Sequence, residues 1–400
     1  MNLKAGFPFS LVRFGLPYTY PKLTTPLKTD VVIIGGGISG ALTAYHLHQA
    51  GLECVVVDGR SIGLGSTCAS TSLLQYEIDT PLIRLSQLRG EADAVRAYHL
   101  CLESISKLGA LAKRIGMPEF KNTRSLYFAA RQKDVIFLRD EYDLRKANGF
   151  PVSYLDEHDV YEKFGFHAPG AILSRIAAYT DAYVFTHSLH QHSMRSGLQV
   201  FDRTYIKKAA YVKRHIELTT EEGIRLQARK LIYATGYEIT ETIQKKIVKL
   251  HATYATVSEH MPKATDGMLE DALLWNTADP YLYMRRTRDG RIIVGGRDED
   301  FSSPVKRDKL IPKKTKQLAN DYLKLFPDSE FKPEFSWTGT FGTTEDGLPY
   351  IGRYPSLPNT YFALGFGGNG ITFSLIAAEM LTDILTGKKN GDVRLFSFDR

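Results

Sequence analysis

A run of three glycines set between two apolar strands constrains this chain more than any other feature. Val31-Val32-Ile33-Ile34 is wholly apolar and β-branched, the pattern of a strand covered on both faces. Gly35-Gly36-Gly37-Ile38-Ser39-Gly40 follows at once, and Ala41 to Ala50 reads as a helix stopped by Gly51. Cys54-Val55-Val56-Val57 is a second buried run, ending in Asp58. A β–loop–α–β unit of this size over Thr29–Asp58 is a mononucleotide-binding half. Gly35 permits the tight turn, Gly37 lets a pyrophosphate reach the backbone, and Gly40 lets the helix lie close on the sheet. The helix N-terminus offers unpaired N–H groups and partial positive charge to phosphate. Asp58 stands 18 residues beyond Gly40, where a carboxylate accepts from a ribose diol and repels a 2′-phosphate. A dinucleotide other than NADP is expected.

Two later glycine turns narrow the choice. Leu231-Ile232-Tyr233-Ala234-Thr235-Gly236 is another buried strand ending in a small, polar turn that lets backbone pass under an adenine dinucleotide. Thr360 to Leu364 reads as a strand, 365–370 as a loop (GFGGNG), and Ile371 to Thr386 as an amphipathic helix closed by Gly387. Each glycine carries an entropic cost, so a second glycine loop opening a second helix needs a reason beyond packing. That helix N-terminus suits the N1–C2=O edge of an isoalloxazine, where negative charge develops on reduction.

The remaining pattern implies a second unit. Tyr281 to Arg286 and Arg291 to Val294 alternate around Asp289-Gly290, a hairpin that does not belong in a doubly wound parallel sheet. Residues 91–115 repeat apolar side chains at helical spacing, Ser125 to Ala130 reads as a strand, and 132–147 as a charged surface helix. A chain of 400 residues with 43% hydrophobic and 24% charged residues suits two or three globular domains. It has no apolar run of the ~18 residues needed for a spanning helix, and the broken N-terminal segment is read as mature sequence. Three cysteines without a CxxC pair exclude a disulfide framework or a cysteine-rich metal site and fit a cytoplasmic protein. The histidines of 187–192 (HSLHQH) lack a neighbouring carboxylate, so no metal is expected. Net charge is +7, concentrated at 203–250 (11 Lys/Arg against 5 Asp/Glu) and 305–316 (six against one). Both stretches are read as solvated faces rather than a nucleic-acid surface.

Taken in order, DVVIIGGGISG (30–40), VVVDGRSIGLGST (55–67), LIYATGY (231–237), YLYMRRTRDGRIIVGG (281–296) and DGLPYIGRYPSLPNTYFALGFGGNGIT (346–372) span nearly the whole chain. The chain resembles the FAD-dependent D-amino-acid oxidase superfamily, of the glycine, sarcosine and γ-glutamylputrescine oxidase kind. The resemblance implies an α/β fold in which a Rossmann-like FAD-binding domain (1–116, 181–240 and 326–400) interleaves with an α+β substrate domain (117–180 and 241–325) carrying a mainly antiparallel sheet. It implies oxidation of a C–N bond by hydride transfer to flavin N5, giving an imine, with oxygen or an unknown carrier as acceptor. Gly35, Ile38 and Ser39 match the pyrophosphate turn, with Asp58 the ribose acid and Gly59 and Arg60 on the adenine side. Ser66, Thr67, Ser70 and Thr71 match the loop along the flavin. Ile206 matches the adenine strand, Thr235 and Gly236 the pyrophosphate, and Gly368, Gly370 and Ile371 the flavin pyrimidine.

Departures from the family bear on attachment and substrate. No cysteine follows Cys101, and Ala69 stands where some relatives carry a flavin-linking histidine, so noncovalent FAD is expected. Relatives acting on free amino acids commonly carry an arginine before the DGLP-type segment, but 337–345 (WTGTFGTTE) has no cation. Either the substrate lacks that carboxylate or another cation replaces it. Arg285 matches the family's hairpin arginine and either faces the pocket or pairs with Asp298-Glu299-Asp300. Gln75, Glu77 and Asn369 are further substrate-side candidates, with Glu77 suited to a second ammonium, and Lys249 is the candidate lysine over the flavin. A small amine or amino acid is the expected substrate. The rivals are a tRNA-modifying flavoprotein and a dinucleotide-binding module without chemistry.

Overall fold

The computed structural model describes residues 2–212, 214–241, 243, 247–261 and 272–400. Part of the basic stretch at 203–250, including Lys213, Lys245 and Lys246, lies outside the described residues.

The β-branched runs assemble the smaller sheet. Its order is Tyr350–Arg353, Thr360–Leu364, Arg225–Tyr233, Leu27–Ile34, Cys54–Val57, Gln199–Phe201. The last five run parallel, and Tyr350–Arg353 is an antiparallel edge. Ile206–Val212 and His215–Thr220 extend antiparallel from Arg225–Tyr233. Register aligns the strand ends: Ile34 lies opposite Val57 and Tyr233, and Tyr233 opposite Phe362. All three glycine turns therefore leave the same carboxyl edge, where open α/β sheets bind ligands. The helix Ile38–Gln49 buries Ala41, Leu42, Ala44 and Leu47 in a core shared with Phe373, Leu375 and Ile376 of the helix Gly370–Leu385. Ser39 Oγ and Ser374 Oγ are 2.8 Å apart, so the two helices start side by side.

The larger sheet holds ten strands. Its path runs Lys4–Gly6, Pro333–Thr343, Lys249–Ser258, Ile292–Asp300, Tyr283–Arg286, Ala272–Asn276, Lys121–Phe128, Gly170–Tyr179, Leu73–Gln75, with Val152–Asp156 also on Gly170–Tyr179. Among the described pairs only Ala272–Asn276 with Lys121–Phe128 is parallel, so the sheet is mainly antiparallel as expected. The hairpin is confirmed: Tyr283 lies opposite Gly295 and Arg286 opposite Ile292, with Gly290 at φ +82° in the turn. One face is covered by the helix Ile311–Leu325 through Leu318, Ala319 and Tyr322. Lys4–Gly6, Leu73–Gln75 and Pro333–Thr343 join this sheet from segments grouped with the FAD half, and the division into 1–116, 181–240 and 326–400 against 117–180 and 241–325 stays a proposal. Among the described residues no helix is long and apolar enough to cross a membrane.

Two readings of charge need correction. The helix within 132–147, Val135–Ala147, is not simply a surface helix, because Glu141 and Arg145 are 0% exposed. Glu141 accepts the N–H groups of Leu82 and Ile83 at 2.9 Å each, capping the helix Leu82–Arg89. Arg145 Nη2 lies 2.7 Å from Glu141, and its Nη1 3.6 Å from Glu77. In the 305–316 stretch, Arg307 is buried and donates to Thr340 Oγ1 (2.7 Å) and the Asn2 carbonyl (3.0 Å). Lys314 is buried too, donating to the Arg297 carbonyl (2.8 Å) and pairing with Glu299 (2.6 Å). These cations serve the interior. Removing one partner of a buried pair strands the other charge, so Glu141→Ala should cost roughly 3–5 kcal/mol in urea unfolding. Lys163→Ala, in the exposed Asp159 pair, should cost under about 1 kcal/mol.

Candidate active site

The site begins where Leu27–Ile34 ends. Gly35 has φ +110°, and a Cβ there would strike the Ala234 carbonyl, which ties the first glycine turn to the second. A Cβ on Gly40 would run into the Gly35 carbonyl, so the helix sits as close as glycine permits. The N-cap of the helix Ile38–Gln49 is Gly37, which has no side chain to cap it. The Ile38 N–H reaches Thr67 Oγ1 (3.2 Å), and the Gly36 N–H reaches Asp58 Oδ2 (2.7 Å). From beneath, His190 Nε2 lies 3.1 Å from the Gly36 carbonyl; a carbonyl only accepts, so that nitrogen carries the proton. His187 Nδ1 lies 2.8 Å from the Tyr20 hydroxyl. The histidine cluster is thus structural support for the turn.

Asp58 also takes the Arg60 N–H at 2.8 Å. Burial pushes its carboxyl above the usual range, opposed by the two backbone N–H groups. Arg60 grips Glu238 through both terminal nitrogens, 2.8 and 2.5 Å, which joins this corner to the turn at 234–238. At the other glycine loop, Asp79 is the organising acid. It accepts the Gly368 N–H (2.7 Å) and the Tyr281 hydroxyl (2.9 Å), so loop and hairpin meet on one carboxylate. A Cβ on Gly368 would press on that carboxylate, which explains the glycine. Asn369 donates to the carbonyls of Gln75 (3.2 Å) and Glu77 (2.8 Å), fixing the start of the helix Gly370–Leu385.

These parts enclose one cavity of about 830 Å³, within the ~300–1,000 Å³ of ligand sites. Gly35, Gly37, Ile38, Ser39, Asp58, Gly59 and Arg60 line it, as do Ser66, Thr67, Ser70 and Thr71. Ile206, Thr235, Gly236, Gly368, Gly370 and Ile371 complete the expected cofactor set on its wall. Gly40 is not on the wall but underlies the first turn. Gln75, Glu77 and Asn369 also line the cavity. The Glu77 side chain, however, is 1% exposed and faces Arg145, so it is not available to a second ammonium.

Two expected residues fall elsewhere. Arg285 is buried outside the lining: Nε donates to the Thr71 carbonyl (2.7 Å), and the guanidinium lies 4.9 Å from the Tyr179 ring centre. It neither faces the cavity nor pairs with 298–300; it anchors the flavin-side loop to the sheet. Lys249 is exposed and pairs with Asp300 at 2.8 Å, away from the lining.

The sheet-side wall was missed by the sequence reading. Thr253, Trp275, Tyr281, Tyr283, Asp298 and Phe341 line it. Trp275 stacks on Tyr127 with ring centres 3.8 Å apart and donates to Ser125 Oγ (3.0 Å), which Gln75 also reaches (3.1 Å). Asp298 is aimed by a bulge: Ala252 pairs Glu299 while Tyr254 pairs Gly296, and Arg297 has φ +58°. Its Oδ1 is buried without a hydrogen-bond partner. Burial, reinforced by the Asp79 charge and opposed by Thr253 and Lys314, raises the Asp298 carboxyl to about 7. The alternation Gln75, Glu77, Asp79 after the flavin loop was the only local hint of Asp79.

A cavity where three glycine turns meet at the carboxyl edge of a parallel sheet defines a dinucleotide-binding α/β protein. The unpartnered Thr235 Oγ1 in its wall, and a Gly37 where any Cβ would crowd Thr67, fit the phosphate run of FAD. Residues 30–384 match the DAO family of FAD-dependent oxidoreductases, and the chain belongs to it. FAD is its cofactor. The chain is 23% identical to the glycine oxidase of Bacillus licheniformis over 368 residues, 90% of this chain and 94% of that one. It is 22% identical to the gamma-glutamylputrescine oxidoreductase of Escherichia coli, over 92% of this chain and 86% of the relative. The crystal structure of glycine oxidase from Geobacillus kaustophilus superposes with a TM-score of 0.77 at 19% identity, covering 94% of this chain and 99% of that one.

Burial lowers both His187 and His190 from an ordinary 6.5 to about 4. The unfolded chain therefore binds protons first as pH falls, so their contribution is complete above about pH 6.5 and drains away toward pH 4. Going from pH 7 to 5 should cost on the order of 2 kcal/mol per histidine. Urea midpoints at the two pH values should show this loss, and His190→Gln should remove about half of what these two histidines contribute.

Proposed function

We propose that this chain oxidises a carbon–nitrogen bond of an amine or amino acid, giving an imine. The observation that carries the reading is the junction at Asp79, which joins the glycine loop at 365–370 to a wall of Trp275, Tyr281, Tyr283 and Phe341 inside the FAD cavity. Bound FAD supplies the hydride acceptor for a C–H bond next to nitrogen. The protein's work is to hold, orient and dry the site. With FAD bound, the N-termini at Ile38–Gln49 and Gly370–Leu385 would hold phosphate and flavin, Asp58 would receive the ribose, and the aromatic wall would exclude water from the substrate. The relatives' names, glycine oxidase and gamma-glutamylputrescine oxidoreductase, agree with amine or amino-acid chemistry.

The cofactor is held without a covalent link. Cys68 is buried with Sγ 3.5 Å from the Gly65 carbonyl and burial raises its thiol to about 11, while Ala69 occupies the wall. Among the described residues no cysteine lines the cavity. Purified protein should show a flavin absorption spectrum, and acid precipitation should leave the yellow colour in the supernatant. A yellow pellet would refute noncovalent binding. Anaerobic titration with a panel of amines and amino acids should bleach the flavin band; a band untouched by every member would refute the oxidoreductase reading.

A further inference from the structure

The substrate-side wall carries two buried carboxyl groups, and one of their oxygens has no hydrogen-bond partner. Asp79 is satisfied by Gly368 and Tyr281, but Asp298 Oδ1 is buried and unpartnered at the same cavity. Around it stand Tyr281 and Tyr283, ring centres 5.8 Å apart, and Trp275, edge-on to Tyr281 at 6.0 Å. Aromatic faces and a carboxylate together are the chemistry that receives an ammonium. Among the described residues the cavity's cations are Arg60, Lys207 and Lys208. All three belong to the Asp58 corner, where Arg60 is held by Glu238 and Gly59 sits against Tyr205, beside Lys207. On the segment before Asp346, Gly339, Thr340 and Phe341 line the cavity, and none of them carries a positive charge for a carboxylate.

Resting on the oxidoreductase reading, we infer that the site takes a cationic amine that bears no carboxylate, its ammonium received by Asp298 within the walls of Trp275, Tyr281 and Tyr283. An α-amino acid would bring its carboxylate beside Asp298 and Asp79 without a counter-charge, which costs desolvation and repulsion together. This decides between the alternatives left by the missing arginine: the substrate lacks the group, and among the described residues no cation on this wall replaces it.

The test uses matched pairs on the FAD-loaded protein. Benzylamine against D- and L-phenylglycine, and putrescine against D- and L-ornithine, differ by one carboxylate. Anaerobic flavin reduction should be at least 100-fold more efficient with the amine of each pair. Equal or better reduction by the amino acid overturns the inference and leaves the oxidoreductase reading standing. Binding is read separately with cumylamine, which has no hydrogen on the carbon bearing nitrogen, against α-methylphenylglycine. The amine should perturb the flavin spectrum or raise Tm, and the amino acid should not; no response to the amine overturns the inference. If cumylamine binds but no amine reduces the flavin, it is the oxidoreductase reading that fails. Asp298→Asn should keep its FAD, raise the Kd for cumylamine at least tenfold and shrink the amine preference as much, with Asp298→Glu recovering part of both. An unchanged preference in Asp298→Asn assigns the selectivity elsewhere and refutes the role of Asp298.

Discussion

Two helix N-termini turned toward one cavity are the constraint on which this structure turns. Two helices, Ile38–Gln49 and Gly370–Leu385, open beside each other at the carboxyl edge of one parallel sheet, held in step by the Ser39–Ser374 contact. Neither N-cap residue, Gly37 or Asn369, caps its helix through its own side chain. Partial positive charge is thereby presented twice to one cavity, as a dinucleotide's negative charge requires. The glycines follow from this geometry, since Gly35 and Gly40 let strand, turn and helix approach more closely than any side chain allows.

Acids then divide the labour around the cofactor. Asp58 and Asp79 play similar parts at opposite loops: each accepts a backbone N–H of a glycine turn and so stiffens it. Glu141 does the same for a helix start and shares Arg145 with Glu77. Glu77 and Asp298 each keep buried carboxyl oxygens without a hydrogen-bond partner, but Glu77 has Arg145 3.6 Å away. A buried carboxyl oxygen left unpartnered on a cavity wall, as at Asp298, marks a functional surface more readily than neglect.

Much of the fold is legible in the chain because its signals are local. A β-branched run followed by glycines and an apolar helix specifies strand, turn and helix in sequence order, and Asp289-Gly290 specifies a hairpin through its own φ requirement. The cofactor-side lining was legible for the same reason, since backbone contacts depend on turn shape. The substrate side was not. Arg285 matched a family position but turns to the Thr71 carbonyl, and Glu77 is drawn inward by an arginine 68 residues away. Trp275 and Phe341 gave no periodic signal that separates a cavity wall from a core.

The amino-acid sequence by itself determined a dinucleotide-binding unit and which glycine turns line its cavity, because glycine spacing acts through the backbone within a few residues. Tertiary structure alone decided what meets the substrate. Side-chain direction at Asp298 depends on a bulge against Thr253, and the neutralisation of Glu77 and Lys249 depends on partners from distant strands and helices. Charge written in a sequence becomes chemistry only when packing settles which groups are left unpaired.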